Sequence, residues 1–212
     1  MIFNFKLINI IGLLLYSIFN FAQTEKPDYE FEISRTDIIY EHNIDTTLTK
    51  LYNKNKELLN GKYKIIHEDS IETYVTLKNG LWDGFYKSYY KTGELNAIIL
   101  FENGIKKERA VWYYKNGNLN REISYLNRQQ NGICKWYYEN GNLLKECEYT
   151  LDKENGICKW YFEDGKIQTI VTYDKGIKNG LSEKYKSNGD LEIRIYFLND
   201  KKVTEKEFKK AK

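Results

Sequence analysis

The stretch "ICKWYYENGNLLKECEY" (Ile133–Tyr149) returns 24 positions later as "ICKWYFEDGKIQTIVTY" (Ile157–Tyr173). Working outward in steps of 24 recovers five copies. Gly93, Gly117, Gly141, Gly165 and Gly189 fall on one lattice. Tyr89, Tyr113, Tyr137, Tyr161 and Tyr185 stand four residues before them; Leu95, Leu119, Leu143, Ile167 and Leu191 stand two after. Two further apolar columns follow, Ile99, Ile123, Cys147, Val171 and Ile195, then Phe101, Tyr125, Tyr149, Tyr173 and Phe197. A second glycine opens most copies, at Gly84, Gly132, Gly156 and Gly180, with Glu108 as the exception. Columns that hold register over five copies mark a repeat architecture. Ile65, Ile71, Val75 and Leu77 occupy matching slots upstream and predict a worn sixth copy, without its turn glycine.

Each copy reads as a hairpin. "KTGE", "KNGN", "ENGN", "EDGK" and "SNGD" are turn sequences between aromatic and aliphatic runs,. Two turns compete: a two-residue type I′ turn pairing Glu139 with Asn142, or a type I turn with a G1 bulge pairing Tyr138 with Asn142. The bulge is preferred, because it places Ile133, Tyr137, Leu143, Cys147 and Tyr149 on one face. Trp112, Trp136 and Trp160 then form a column on the other face, beside Tyr90, Tyr114, Tyr138 and Phe162. Ser88 and Lys184 replace Trp in the end copies. Equivalent residues two strands apart are about 9.5 Å from one another, so the central copies present an aromatic ladder. The fold class expected is all-β, an elongated single-layer antiparallel meander of consecutive 24-residue hairpins.

The division along the chain follows. Residues 1–22, with Lys6 ahead of the apolar run Leu7–Ala22, read as a secretory signal peptide rather than a membrane anchor,. Residues 23–60 hold an alternating run, Tyr29–Ile33, and Leu48, Leu51, Tyr52 and Leu58 near helical spacing. Those leucines predict a short helix within 45–61, before the repeats, with Asp45 or Thr47 as cap. Residues 61–79 are the degenerate copy, 80–200 the five regular ones, and 201–212 a basic tail. The formal charge of +3 falls by one when Lys6 leaves with the leader. So small an excess, spread along the chain, does not argue for nucleic acid, which calls for a clustered basic footprint.

"NGICKWYYENGNLLKECEY" resembles the MORN repeat, in the variant of bacterial proteins whose "G-x-x-x-x-Y-Y-x-N-G-x-L" half precedes "E-x-x-Y-x-N-G". The resemblance spans Gly80 to Asp200. It implies a sheet of consecutive hairpins and a scaffold rather than a catalyst. It also carries the label of an antitoxin component in a toxin–antitoxin pair. Lipid binding, attributed to some eukaryotic MORN proteins, does not carry over, because no regular basic column is expected beside the aromatics.

Chemistry-bearing patterns are few. His42 and His67 are the only histidines, and neither has a zinc spacing with cysteine,. His67 as base and Ser70 as nucleophile form the one catalytic pair the sequence offers, against a far more ordinary polar bend. No glycine-rich turn leads into a phosphate-binding helix, and oxygen ligands are too sparse for calcium. No cofactor, metal or enzymatic activity is expected. Cys134, Cys147 and Cys158 are expected to be free thiols, since the preferred faces separate Cys134 from Cys147. The candidate interaction surface is Trp112, Tyr114, Trp136, Tyr138, Trp160 and Phe162. The partner expected is a protein, with an envelope glycan as the alternative; an intracellular antitoxin is the third reading.

Overall fold

A computed structural model describes residues 26–43, 48–67 and 72–211. The expected signal peptide, the cap positions Asp45 and Thr47, Ser70 and Ile71 lie outside them.

The chain enters with β1 (Phe31–Ser34), then forms a separate hairpin from β2 (Ile39–Asn43) and β3 (Leu48–Tyr52). The sheet proper begins with β4 (Gly61–Ile66), β5 (Glu72–Lys78), the short β6 (Leu81–Trp82) and β7 (Gly84–Tyr89). It continues through β8 (Leu95–Glu102), β9 (Ile105–Tyr113), β10 (Leu119–Leu126), the short β11 (Gln129–Gln130) and β12 (Gly132–Tyr137). β13 (Leu143–Thr150), β14 (Lys153–Tyr161), β15 (Ile167–Asp174), β16 (Ile177–Tyr185), β17 (Leu191–Leu198) and β18 (Lys201–Val203) complete it. Among the described residues these make one 16-stranded sheet in which neighbours follow chain order. The fold is an all-β meander of consecutive hairpins. β1 alone departs from it, pairing parallel with β4 at the first edge.

Two turn types alternate along the meander. At the asparagine–glycine ends, the Tyr138 N–H donates to Asn142 O (2.8 Å) and the Gly141 N–H to Tyr138 O (2.9 Å). Gly141 has φ +90°, which is the type I turn with a G1 bulge. The same pair of bonds closes the turns at Tyr90, Tyr114, Phe162 and Lys186. At the opposite ends, Asn79–Gly80, Asn103–Gly104, Asn127–Arg128, Leu151–Asp152, Lys175–Gly176 and Asn199–Asp200 all take positive φ. That is the type I′ signature, and these pairs also recur every 24 residues. Both competing turns therefore exist, at opposite ends of the same hairpins.

A further bulge follows each G1 turn. Tyr137 pairs with Leu143, but Trp136 pairs with Lys145, so Leu144 is an extra residue. The same shift recurs at Tyr89, Tyr161 and Tyr185. An inserted residue sends everything beyond it to the other face. Tyr137 and Leu143 share a face as expected, but Cys147 and Tyr149 join Trp136 on the opposite one. The turn was assigned correctly, and the five-residue face built on it is split by this second bulge.

The helix expected over 45–61 is replaced by β3, with Leu51 fully buried. Leu48, Leu51, Tyr52 and Leu58 have helical spacing, but tertiary hydrogen bonds decide the conformation. The Leu51 N–H donates to Gly80 O (2.8 Å), and Leu51 O accepts from the Leu59 N–H (3.1 Å). Ile39, Tyr40, Thr49 and Tyr52 also suit strands better than helix. Ile38, Leu51 and Leu59 pack on Tyr63, Ile65, Val75 and Leu77, covering one face of the first hairpin. β4 and β5 give the upstream copy its hairpin, with Tyr63 opposite Val75.

At the far end, α1 (Glu205–Lys210) follows β18. Thr204 caps it, accepting from the Glu207 N–H, while Glu207 Oε2 accepts from the Thr204 N–H (2.8 Å). Such a capping box satisfies two backbone donors at once. Phe208 is buried against Tyr196, ring centroids 5.2 Å apart. The basic tail thus carries a strand and a docked helix.

Candidate interaction surface

The second bulge assembles a row across the sheet that no single hairpin displays. Cross-strand pairing runs Ala97, Trp112, Arg121, Trp136, Lys145, Trp160, Thr169 and Lys184, one residue per strand. Pairing partners share a face, so aromatic and cationic side chains alternate. The Arg121 guanidinium lies 4.2 Å from the Trp112 ring centre. Lys145 Nζ sits between two rings, 4.9 Å from Trp136 and 5.0 Å from Trp160. Two rows away, Lys106 Nζ stands 5.1 Å from the Tyr125 ring and Lys178 Nζ 5.4 Å from the Phe197 ring. No regular basic column forms, since Ala97, Thr169 and Ile193 hold the equivalent positions, but two cations, Arg121 and Lys145, do face the tryptophans. The bulge residue Leu144 is the reason, since without it Lys145 would face away from Trp136.

Beneath this stripe runs a row of small apolar residues. Ile99, Ala110 and Ile123 lead to Cys134, Cys147, Cys158 and Val171, all buried. Trp112, Trp136 and Trp160 lie against the cysteine cluster. Cys134 is directly opposite Cys147, on the same face, and Cys147 is bonded to Cys158 as a disulfide. Both cysteine expectations are thereby corrected. The Cys147 and Cys158 Cα atoms are 4.1 Å apart, the short separation of a non-hydrogen-bonded antiparallel pair. Alternation then makes Cys134–Cys147 the wider, hydrogen-bonded pair. Cys134 keeps a buried thiol, whose pKa burial pushes up.

The tyrosines of the expected surface do different work from the tryptophans. The Tyr114 hydroxyl donates to Tyr137 O (2.8 Å) and the Tyr138 hydroxyl to Tyr161 O (2.8 Å), as Tyr90 does to Tyr113 O (2.8 Å). Each phenol thus staples its own hairpin to the next. Phe162 occupies the same column without a hydroxyl. Asn118 and Asn142 add a parallel rail, their side-chain amides donating to Glu139 O (2.8 Å) and Glu163 O (2.7 Å). Of the six candidate residues, Trp112, Trp136 and Trp160 stand in the open row, while Tyr114 and Tyr138 tie the array together. Arg121 and Lys145 were missed. Their signal, Arg or Lys 24 residues apart, becomes readable only once the bulge is known.

The opposite face carries a different pattern. Val111, Glu122, Lys135, Glu146, Lys159, Ile170, Glu183 and Arg194 succeed one another across the strands. Here the charges pair among themselves. Arg109 binds Glu122, Lys135 Nζ is 3.6 Å from Glu146, and Arg194 Nε donates to Glu183 (2.8 Å). The Tyr137 hydroxyl also reaches Glu122 (3.3 Å), and burial with that carboxylate's charge pushes its pKa up to about 12.

His67 stands beside Thr73. Its Nε2 shares a 3.0 Å hydrogen bond with Thr73 Oγ1, and burial lowers its pKa. Among the described residues, no group of three or more His, Cys, Asp or Glu side chains converges to hold a metal.

The family model for the MORN repeat variant matches residues 109–127, 130–150 and 154–175. The chain carries three consecutive MORN-variant repeats there. The matched segments are bounded by the type I′ turns, so each covers one hairpin closed by an asparagine–glycine or aspartate–glycine turn. MORN repeats are non-catalytic modules that interact with proteins or membranes. The hairpins on either side of the matched span keep the same turns and bulges. No curated protein matches the chain.

Proposed function

We propose that this chain is an exported, non-enzymatic scaffold that holds a protein partner against its tryptophan face. The observation that carries the reading is the alternating row Trp112–Arg121–Trp136–Lys145–Trp160 on an open sheet face. Trp and Arg are the residues most enriched in binding hot spots, because they bury large areas and combine apolar with polar contact. Export rests on the apolar leader, Leu7–Ala22. Stacked cations occupy ring faces on which sugars would lie, which favours a protein over an envelope polysaccharide.

The test compares retention of envelope proteins by the wild-type chain and by a Trp112→Ala, Trp136→Ala, Trp160→Ala variant with an unchanged melting profile. Loss of one defined partner in the variant is expected. Identical retention reduces the ladder to a structural role. Fractionation with mass spectrometry of the N-terminus checks export, and an uncleaved cytoplasmic chain would return the antitoxin reading.

A further inference from the structure

The two faces of the array treat their charges differently. On the opposite face Arg109, Lys135 and Arg194 each hold a carboxylate. On the tryptophan face, among the described residues, Lys145 and Lys184 have carboxylates in ion-pair range, Glu154 and Glu192, while the charges of Asp152 and Asp200 reach Tyr125 and Tyr173. Lys145 Nζ is 3.8 Å from Glu154, and Lys184 Nζ is 2.8 Å from Glu192. Lys106, Arg121 and Lys178 rest on aromatic rings instead. A ring quadrupole orients a cation but leaves its charge uncompensated. Burial and the neighbouring Arg121 charge both lower the Lys106 pKa, so an anion arriving there relieves a repulsion already present.

The spacing of these cations restricts what the anion belongs to. Arg121 and Lys145 flank Trp136 on its two neighbouring strands, which separates their backbones by about 9.6 Å. Three residues of polyproline II helix rise about 9.3 Å and return a side chain to the same face. Ring faces engaged by Arg121 and Lys145 are poor platforms for sugars or bases. At the first hairpin the N-terminal segment, through Ile38, Leu51 and Leu59, already covers this same face, so a packed polypeptide is compatible with its shape.

We propose that the tryptophan face receives an acidic polypeptide segment in the polyproline II conformation, laid across the strands, with a carboxylate at every third residue over Arg121 and Lys145. The inference rests on the scaffold reading and gives its partner a chemistry. Charge supplies orientation and register, while the indole edges exclude water from the contact.

The experiment uses the purified chain and a fluorescent nonapeptide with Glu at every third position, read by anisotropy. The same peptide with Gln and a soluble polyuronate chain serve as comparisons. Binding of the Glu peptide is expected, with at least tenfold loss for the Arg121→Gln, Lys145→Gln variant and further loss with added salt. Lys135→Gln, on the opposite face, leaves it unchanged. Arg121→Gln alone, exposed at the surface, gives a partial loss with folding undisturbed. Equal binding of the Glu and Gln peptides, equal loss in Lys135→Gln, or binding of polyuronate without the peptide overturns the inference. If the tryptophan-dependent partner of the scaffold test persists while the Glu peptide fails to bind, only the acidic chemistry falls and the scaffold stands.

Discussion

The Tyr138 hydroxyl donates to the main-chain carbonyl of Tyr161, 2.8 Å away and 23 residues later in the chain. A hydrogen bond of this kind joins one repeat to the next without involving a strand pair. In a repeat array, stability is a sum of unit and interface terms, and these phenols contribute to the interface.

Tyr138→Phe is therefore expected to lower stability by about 1 kcal/mol, seen as a lower urea midpoint. Phe162→Tyr is the converse, since Phe162 lacks only the hydroxyl and the repeat period makes Tyr185 O the expected acceptor. A rise in midpoint is expected, and no change would mean that the carbonyl is already satisfied by water.

Glu108 stands where other hairpins place a bulge glycine, and it takes φ +29°. A left-handed conformation costs a non-glycine residue roughly 1–2 kcal/mol. Glu108→Gly is expected to stabilise the chain by about 1 kcal/mol, against the entropy that glycine loses on folding. Gly180→Ala works in the opposite sense. Its φ is +143°, and a Cβ there would stand 2.8 Å from Thr172 Cβ. Thermal melts of the two variants should move in opposite directions.

Cys147 and Cys158 close a loop of sequence separation 11. Opening it with reductant should cost on the order of 2–3 kcal/mol through the freedom returned to the unfolded chain. Peptide mapping of the oxidised protein should find Cys147 joined to Cys158, and one thiol, Cys134, alkylated only after denaturation. A Cys134–Cys147 link would contradict the pairing geometry.

Tyr137 and Tyr89 have pKa values raised to about 12, each by burial first. The folded state holds the phenolic proton more tightly than the unfolded state, whose tyrosines ionise near 10. Their contribution is complete below pH 10 and is lost as pH rises from about 10 towards 12. Urea midpoints should fall across that interval, and Tyr137→Phe should make the fall shallower.

How much of this was legible follows from where each constraint acts. The period, the glycine turns and the G1 bulge are local, and Tyr138, Gly141 and Asn142 announce them within five residues. The bulge at Leu144 leaves no such mark, because the residue inserted is as apolar as its neighbour Leu143. One unseen residue put Cys147 and Tyr149 on the wrong face, and hid the disulfide and the place of Lys145 beside Trp136. The stretch 48–59 misled in another way. Its leucines have helical spacing, yet Leu51 is claimed by Gly80, a partner nearly thirty residues ahead.

By itself the sequence determined that this protein is a stack of equal hairpins, because glycine placement and aromatic columns at a fixed interval are properties of each unit taken alone. Only the tertiary structure decided which side chains meet across units. That choice depends on cross-strand register, and a register is set jointly by two strands and the bulges between them. The interleaving of Trp112, Arg121, Trp136, Lys145 and Trp160 is the product of that joint setting.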